Sequence, residues 1–228
     1  MDLNPNKCTY CGKEFTRERT LQVHLCEPKR RFLQKNEKWV QNAFIVFQRF
    51  FEIHQRGGKE KNYDDFCKSP YYNAFEKFGR FMMHINPLYP EKYIDYVILS
   101  KIKLDHWARD DLYEAYLVET LKAEPVESAL QRSIATMMDW AQEQNAQWAD
   151  YFRLVNTNRA VQHIQQGKIS PWLLLGCKAG KNLLQSFNDE QLQMIAKYIS
   201  LEFWTQKIKS SPADQLFVQE TAKEAKIE

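Results

Sequence analysis

Glycine and proline are scarce, at 7 and 8 among 228 residues. That excludes a collagen-like or low-complexity chain and leaves little material for the tight turns of an all-β fold. Long apolar runs are missing as well. No stretch of about 18 apolar residues occurs, which argues against a membrane-spanning helix. Met1 leads into polar Asp2, Asn4 and Asn6 rather than a secretory leader, so the expected location is the cytoplasm. Cysteine is limited to 5 residues, an odd count that suits metal ligation or burial better than a disulfide framework. A strong charge bias is also absent: the net charge is +3. It is unevenly spread, however. Residues 1–38 hold nine Lys/Arg against five Asp/Glu, which is +4 and leaves −1 on the rest.

What is present is concentrated at the start. Cys8 and Cys11 are separated by two residues, Cys11 and His24 by twelve, and Cys26 follows after Leu25 alone. Two thiolates on a tight turn and an imidazole from a following helix are the ligand set of tetrahedral zinc, making Zn2+ the expected cofactor. Phe15 and Leu21 supply the miniature core that a metal-nucleated unit needs. The fourth ligand is the open point. At about 100° per residue, a continuing helix turns Cys26 roughly 200° away from His24, so the helix must stop first. Pro28 disfavours helical backbone at Glu27 and places that stop directly after His24 or Leu25. Cys26 then closes the site; the alternative is another group or water in its place.

From Cys8 through Cys26 the segment resembles the Cys2His2 zinc-finger family in a Cys2HisCys form, departing from it in the short His24 to Cys26 step. The resemblance implies a small ββα-like finger. It also implies that Arg17, Arg19, Thr20 and Val23 occupy the positions that meet DNA bases, with Arg17 suited to guanine. Lys29, Arg30, Arg31, Lys35 and Lys38 behind the finger suit phosphate neutralisation. The competing reading is a finger that docks a protein, with the basic run simply a solvated face. The stretches NPNKCTYCGKEFTRERTLQVHLCEPKRRF and VNTNRAVQHIQQGKISPW also resemble uncharacterised finger-bearing proteins of T-even-like tailed phages. That likeness implies an infected bacterial cytoplasm and an accessory role in phage DNA metabolism or transcription.

Beyond residue 36 the apolar spacing is helical. Trp39, Val40, Ala43, Phe44, Phe47, Phe50 and Phe51 form one face, read as core, ahead of a Gly57–Gly58 break. Ser69–Pro70, Pro125, Ser170–Pro171 and Asn188 mark helix starts, the last for one helix carrying Leu192, Ile195, Ile199 and Phe203. The expected architecture is all-α: a finger over 1–28, a basic linker over 29–38, one helical domain of seven or eight helices over 39–210, and a flexible tail over 211–228.

Enzyme signatures are weak. Gly176 to Lys181 mimics a phosphate loop but has the wrong glycine spacing, no Ser/Thr after the lysine and no preceding strand. Asp64, Asp65, Asp110, Asp111 and Glu114 read as helix-start acids, and His54, His84, His106, His163, Cys67 and Cys177 lack partners at a diagnostic spacing. Asn156 to Leu184 has a helix-turn-helix outline with Arg153, Arg159, Lys168, Lys178 and Lys181 nearby, but Trp172 to Leu175 are too apolar for a recognition helix. The sequence therefore predicts a non-enzymatic, zinc-binding, DNA-associated accessory protein. Its expected partners are nucleic acid, DNA more than RNA, through the finger and linker, and a protein through the helical body, with no membrane or small-molecule substrate. The alternative is a docking or structural component with a purely structural finger.

Overall fold

The computed structural model describes residues 6–55 and 58–227, and Gly57 of the expected break lies outside them. The chain divides into two compact units, Met1–Leu112 and Tyr113–Glu228. Among the described residues the first unit holds α1 (Glu18–Val23), α2 (Glu27–Leu33), α3 (Lys38–His54), α4 (Tyr63–Lys68), α5 (Tyr72–Ile85) and α6 (Pro90–Leu99). Helix α7 (Asp110–Ala123) follows, then α8 (Val126–Gln144), α9 (Tyr151–Leu154), α10 (Thr157–Gln165), α11 (Pro171–Gly176) and α12 (Lys178–Gln185). The chain finishes with α13 (Asp189–Ile195), α14 (Leu201–Ser210) and α15 (Pro212–Glu224). The all-α class holds, with more and shorter helices than the periodicity suggested.

In the first unit α3 lies against α5, α4 and α6. Its inward face is Val40, Ala43, Val46 and Phe47, all buried, with Trp39, Phe44, Phe50 and Phe51 half-buried around them. The aromatic face is core, as its spacing suggests: Phe47 meets Phe75 edge-on at 5.5 Å, and buried Trp107 meets Phe78 at 5.6 Å and Phe50 at 6.0 Å. Gly79 lets α5 approach α3 closely, since a β-carbon there would lie 2.2 Å from Trp39 O and 2.9 Å from Ala43 N. A Gly79→Ala chain is expected to lose about 1–3 kcal/mol from overpacking. Urea unfolding reads the loss, and an unchanged midpoint would mean that the two helices have room to part.

The second unit centres on α11, which packs against α8, α12, α14 and α15. Pro171, Trp172, Leu173 and Leu174 are buried, and Trp172 meets Trp204 edge-on at 5.6 Å. The turn before α11 is held by a buried polar network. Arg132 on α8 donates to Gly167 O at 2.7 Å and, through both terminal nitrogens, to the Glu124 carboxylate, the longer of the two contacts being 2.6 Å. Ser133 Oγ accepts from Ser170 N at 2.9 Å.

The body departs from the sequence pattern in three places. The run Leu192, Ile195, Ile199, Phe203 is not one helix: α13 stops at Ile195, and α14 starts at Leu201. Buried Trp204, donating from Nε1 to Tyr198 O at 3.3 Å, folds the chain back between them. In place of a flexible tail over 211–228, α15 presses buried Val218 and Ala222 inward, and a β-carbon on Gly176 would lie 2.5 Å from Val218 Cγ1. The helices expected as one domain over 39–210 fall into two compact units, Met1–Leu112 and Tyr113–Glu228. Nothing in composition marks their boundary, which falls in the first turn of α7.

His163 is buried on α10, its Nδ1 2.8 Å from Tyr151 Oη. Burial, with Lys168 and Arg159 adding to it, pushes its pKa down from 6.5 to about 4. The unfolded chain therefore binds this proton at a higher pH than the folded one. The resulting stability is fully present above about pH 6.5 and is lost as pH falls through about 4. With allowance for partial screening, the loss is expected to be on the order of 2 kcal/mol. Unfolding of a His163→Gln chain across that range should show a flatter pH dependence; an unchanged slope would assign the acid sensitivity elsewhere.

Candidate metal centre

The finger is built on a tight knuckle. Gly12 N donates to Cys8 O at 2.8 Å, Cys8 N to Lys13 O at 2.9 Å and Phe15 N to Asn6 O at 3.0 Å. Gly12 sits at φ 72°, the left-handed region where a side chain is strained, which is why glycine follows Cys11. The expected ββ hairpin is reduced to a single antiparallel bridge between Lys7 and Glu14, with no strand among the described residues. The knuckle's own backbone bonds place both cysteines without one.

Helix α1 then delivers His24, and it stops even earlier than expected. Val23 is its last residue, and His24 already has extended backbone at φ −68°, ψ 120°. Cys26, at φ −84°, ψ 162°, is the residue that starts α2. Pro28 is not what ends α1: Glu27 is helical, and Pro28 sits in the first turn of α2, where its missing N–H costs nothing. The break at His24 to Cys26 swings the last thiol back to the first three ligands.

The four ligand atoms of Cys8, Cys11, His24 and Cys26 all lie within 4.8 Å of one another. Cys8 Sγ is 3.8 Å from Cys26 Sγ, and Cys11 Sγ is 3.3 Å from His24 Nε2. A disulfide needs about 2.05 Å, so these are separate thiols. A tetrahedron with zinc-like bonds has edges of about 3.8 Å between sulfurs and about 3.5 Å between sulfur and imidazole nitrogen. The donor set and its spacing fit a tetrahedral metal ion. Phe15 packs on the His24 ring with centroids 4.7 Å apart, and Leu21 on α1, one turn before His24, is half-buried. The Cys11 amide directed at Cys8 lowers that thiol's pKa, whereas burial, then the crowding of Cys11 and Cys8, raises that of Cys26. Such crowding of sulfurs is what a bound dication relieves.

The residues proposed to meet nucleic acid have different fates. Arg17, Arg19 and Thr20 are exposed on or beside α1, and neither arginine has a partner among the described residues. The basic run behind them is largely committed. Lys29 Nζ donates to His24 O at 3.0 Å, and Arg30 makes a fork to Glu27 at 2.6 and 2.9 Å. Arg30, with Arg31 behind it, holds the Glu27 carboxyl down at about 2. Arg31 donates to Cys67 O at 2.9 Å, stacks over Tyr72 at 4.3 Å, and its own carbonyl accepts from Tyr63 Oη at 2.7 Å. Lys35 lies over the Tyr63 ring at 5.2 Å. Lys38 alone of the five is exposed and without a partner. The segment expected as a linker is thus helix α2, fastened to the C-terminal end of α4.

Apolar side chains stand out around the finger instead. Val23 is 76% exposed and Leu25 62%, either side of His24, and Leu33 is 62% exposed at the end of α2. Tyr10 and Phe32, whose rings meet at a tilt with centroids 5.3 Å apart, are also exposed. Apart from Val23, sequence reasoning passed over this group. The available signal was the pair flanking His24 in a unit too small to cover them.

Elsewhere the structure assembles no second metal cluster among the described residues. Asp64 and Asp65 lie in the first turn of α4, where Asn62 and Asp65 form a reciprocal cap, and Asp110 and Asp111 start α7. Glu114 pairs with Lys197 at 2.6 Å. A groove of about 720 Å³ along α3 carries Glu52, Glu60, Glu91 and Asp95, but Arg49 ties up Asp95 at 2.6 and 2.8 Å and Glu52 at 2.9 Å. No histidine, thiol or hydroxyl lines it. The helix-turn-helix outline is core, as the burial of α11 requires, and Gly180 closes the false phosphate loop by letting α12 meet Leu174 O. No helix of the described residues is long and apolar enough to cross a membrane. No family model matches the chain, and no curated protein or solved structure matches it, so neither the finger-family nor the phage resemblance gains support from a relative.

Proposed function

We propose that the protein is a non-catalytic docking component whose finger is stapled by Zn2+ on Cys8, Cys11, His24 and Cys26 and presents Val23 and Leu25 to a protein partner. The observation that carries this is the exposure of two large apolar side chains on either side of His24, inside the cluster of Cys8, Cys11, His24 and Cys26. Exposed apolar clusters rimmed by polar residues mark interaction sites. Pull-down of the metal-loaded chain from its native cell, with and without nuclease, tests the reading. Partners retained after nuclease and lost from a Val23→Ser/Leu25→Ser chain support it; partners lost with nuclease alone refute it.

A second reading keeps nucleic acid, as DNA, at the finger. It is favoured by Arg17, Arg19, Thr20 and Lys38 standing exposed, with the three cations unpaired. Three free cations neutralise about three phosphates, which gives a shallow salt slope and weak affinity, and a lone finger covers only about 3 base pairs. The commitment of Lys29, Arg30, Arg31 and Lys35 to the fold is why this reading comes second. The phage cytoplasm and an accessory role in DNA metabolism or transcription attach to it through the resemblance alone.

A further inference from the structure

Resting on the docking reading, we infer that the partner offers an acidic, apolar-striped helical segment to α1. On that helix Arg19 and Val23 are four residues apart and Thr20 and Val23 three, so they share one face. Arg17 stands just before them and Leu25 just after. The opposite sign of charge is sparse here: Glu14 pairs with Lys7 at 3.4 Å, and exposed Glu18, which accepts from the neutral Gln22 amide at 3.2 Å, is the one carboxylate left beside the two arginines. What is left is two apolar knobs with, at one end, two guanidiniums that have no partner among the described residues and the single carboxylate of Glu18.

A complementary surface needs apolar side chains at helical spacing to cover Val23 and Leu25. It also needs carboxylates placed to receive Arg17 and Arg19 as forked pairs. A second copy of α1 brings like charge to like charge and is disfavoured. A nucleic-acid groove satisfies the arginines but leaves Leu25 and Val23 against phosphate and sugar. The acidic apolar helix satisfies both sets at once.

The test uses the full chain loaded with zinc, its metal content measured first. Three fluorescent probes are titrated: a synthetic helix-forming peptide with a leucine stripe flanked by glutamates, the same peptide with lysines for glutamates, and a DNA duplex. The acidic peptide is expected to bind. Its affinity should fall at least about tenfold in a Val23→Ser/Leu25→Ser chain, the usual loss at an interface anchor. An Arg17→Glu/Arg19→Glu chain should lose it too and should bind the lysine peptide instead. Equal or tighter binding of the lysine peptide by the unaltered chain overturns the partner chemistry and leaves docking standing. Binding of the duplex with neither peptide bound overturns the inference and the docking reading together. A chain with no zinc condemns the metal assignment before either is reached.

Discussion

A Cys8→Ser chain is expected to carry no stoichiometric zinc, and its residues 6–26 to be cut by trypsin at Arg17 and Arg19 under conditions where the unaltered chain resists. Binding of structural zinc supplies about 10–16 kcal/mol of apparent free energy in units of this kind, and that energy is their folding energy. The finger has no reserve to replace it. Its apolar content is Phe15 and Leu21, both only half-buried, and its knuckle rests on three backbone hydrogen bonds, two of which make the Lys7–Glu14 bridge. The helical signal should stay close to that of the unaltered chain, because α3 packs on α4, α5 and α6 within the first unit, α11 packs on α8, α12, α14 and α15 within the second, and none of these helices carries a residue of the cluster. Cys67→Ser and Cys177→Ser serve as controls, since both thiols are buried far from the cluster in sequence and belong to other helices. Undiminished zinc in the Cys8→Ser chain would refute the ligand assignment. A Cys26→Ala chain that keeps full affinity would leave three protein ligands and a water.

The second large effect is expected at Glu124. Its side chain is 3% exposed and that of Arg132 12%, and the pair holds the turn at Gly167 through Arg132 Nε. Glu124→Ala would strand a guanidinium in the interior, which typically costs about 3–5 kcal/mol. That is a large share of the ~5–15 kcal/mol that separates most domains from unfolding. Thermal and urea unfolding measure it. Replacing both partners, as Glu124→Leu with Arg132→Met, removes the stranded charge and should recover most of the loss. If Glu124→Ala costs less than about 1 kcal/mol, the pair behaves as a surface bridge and the turn before α11 is held by packing alone.

These two sites differ in how plainly the sequence displays them. A Cys/His cluster is a short-range feature, whose spacing in the chain is nearly its spacing in space, so the grouping of Cys8, Cys11 and His24 was legible before any fold was known, with Cys26 the open position. Helix starts at Pro125, Ser170 and Asn188 were legible for the same reason, because capping is settled within a few residues. The ion pair of Glu124 and Arg132 gave no such signal, as its worth comes from burial by α11, a distant partner. Nor did the break between α13 and α14, where the apolar repeat runs straight through a bend closed by buried Trp204 of α14 donating back to Tyr198 O. The intramolecular contacts of the basic run at Lys29 to Lys38 gave no local signal either. Its charge suggests phosphate, yet Arg31 is consumed by carbonyls of residues 67 and 69, contacts that no local pattern announces.

The double duty of Cys26 bears on portability. As the residue from which α2 begins, and with Arg30 N donating to Cys26 O at 2.9 Å, it joins the metal cluster to a helix whose far end is anchored on α4. Excision at residue 28, where the ligand pattern ends, would cut that helix within its first turn. A transplanted finger would have to travel with residues to at least Leu33, and would then arrive with Arg31 and Phe32 stripped of Tyr63 and Tyr72. Unlike beads on a string, this finger belongs to the unit that carries it.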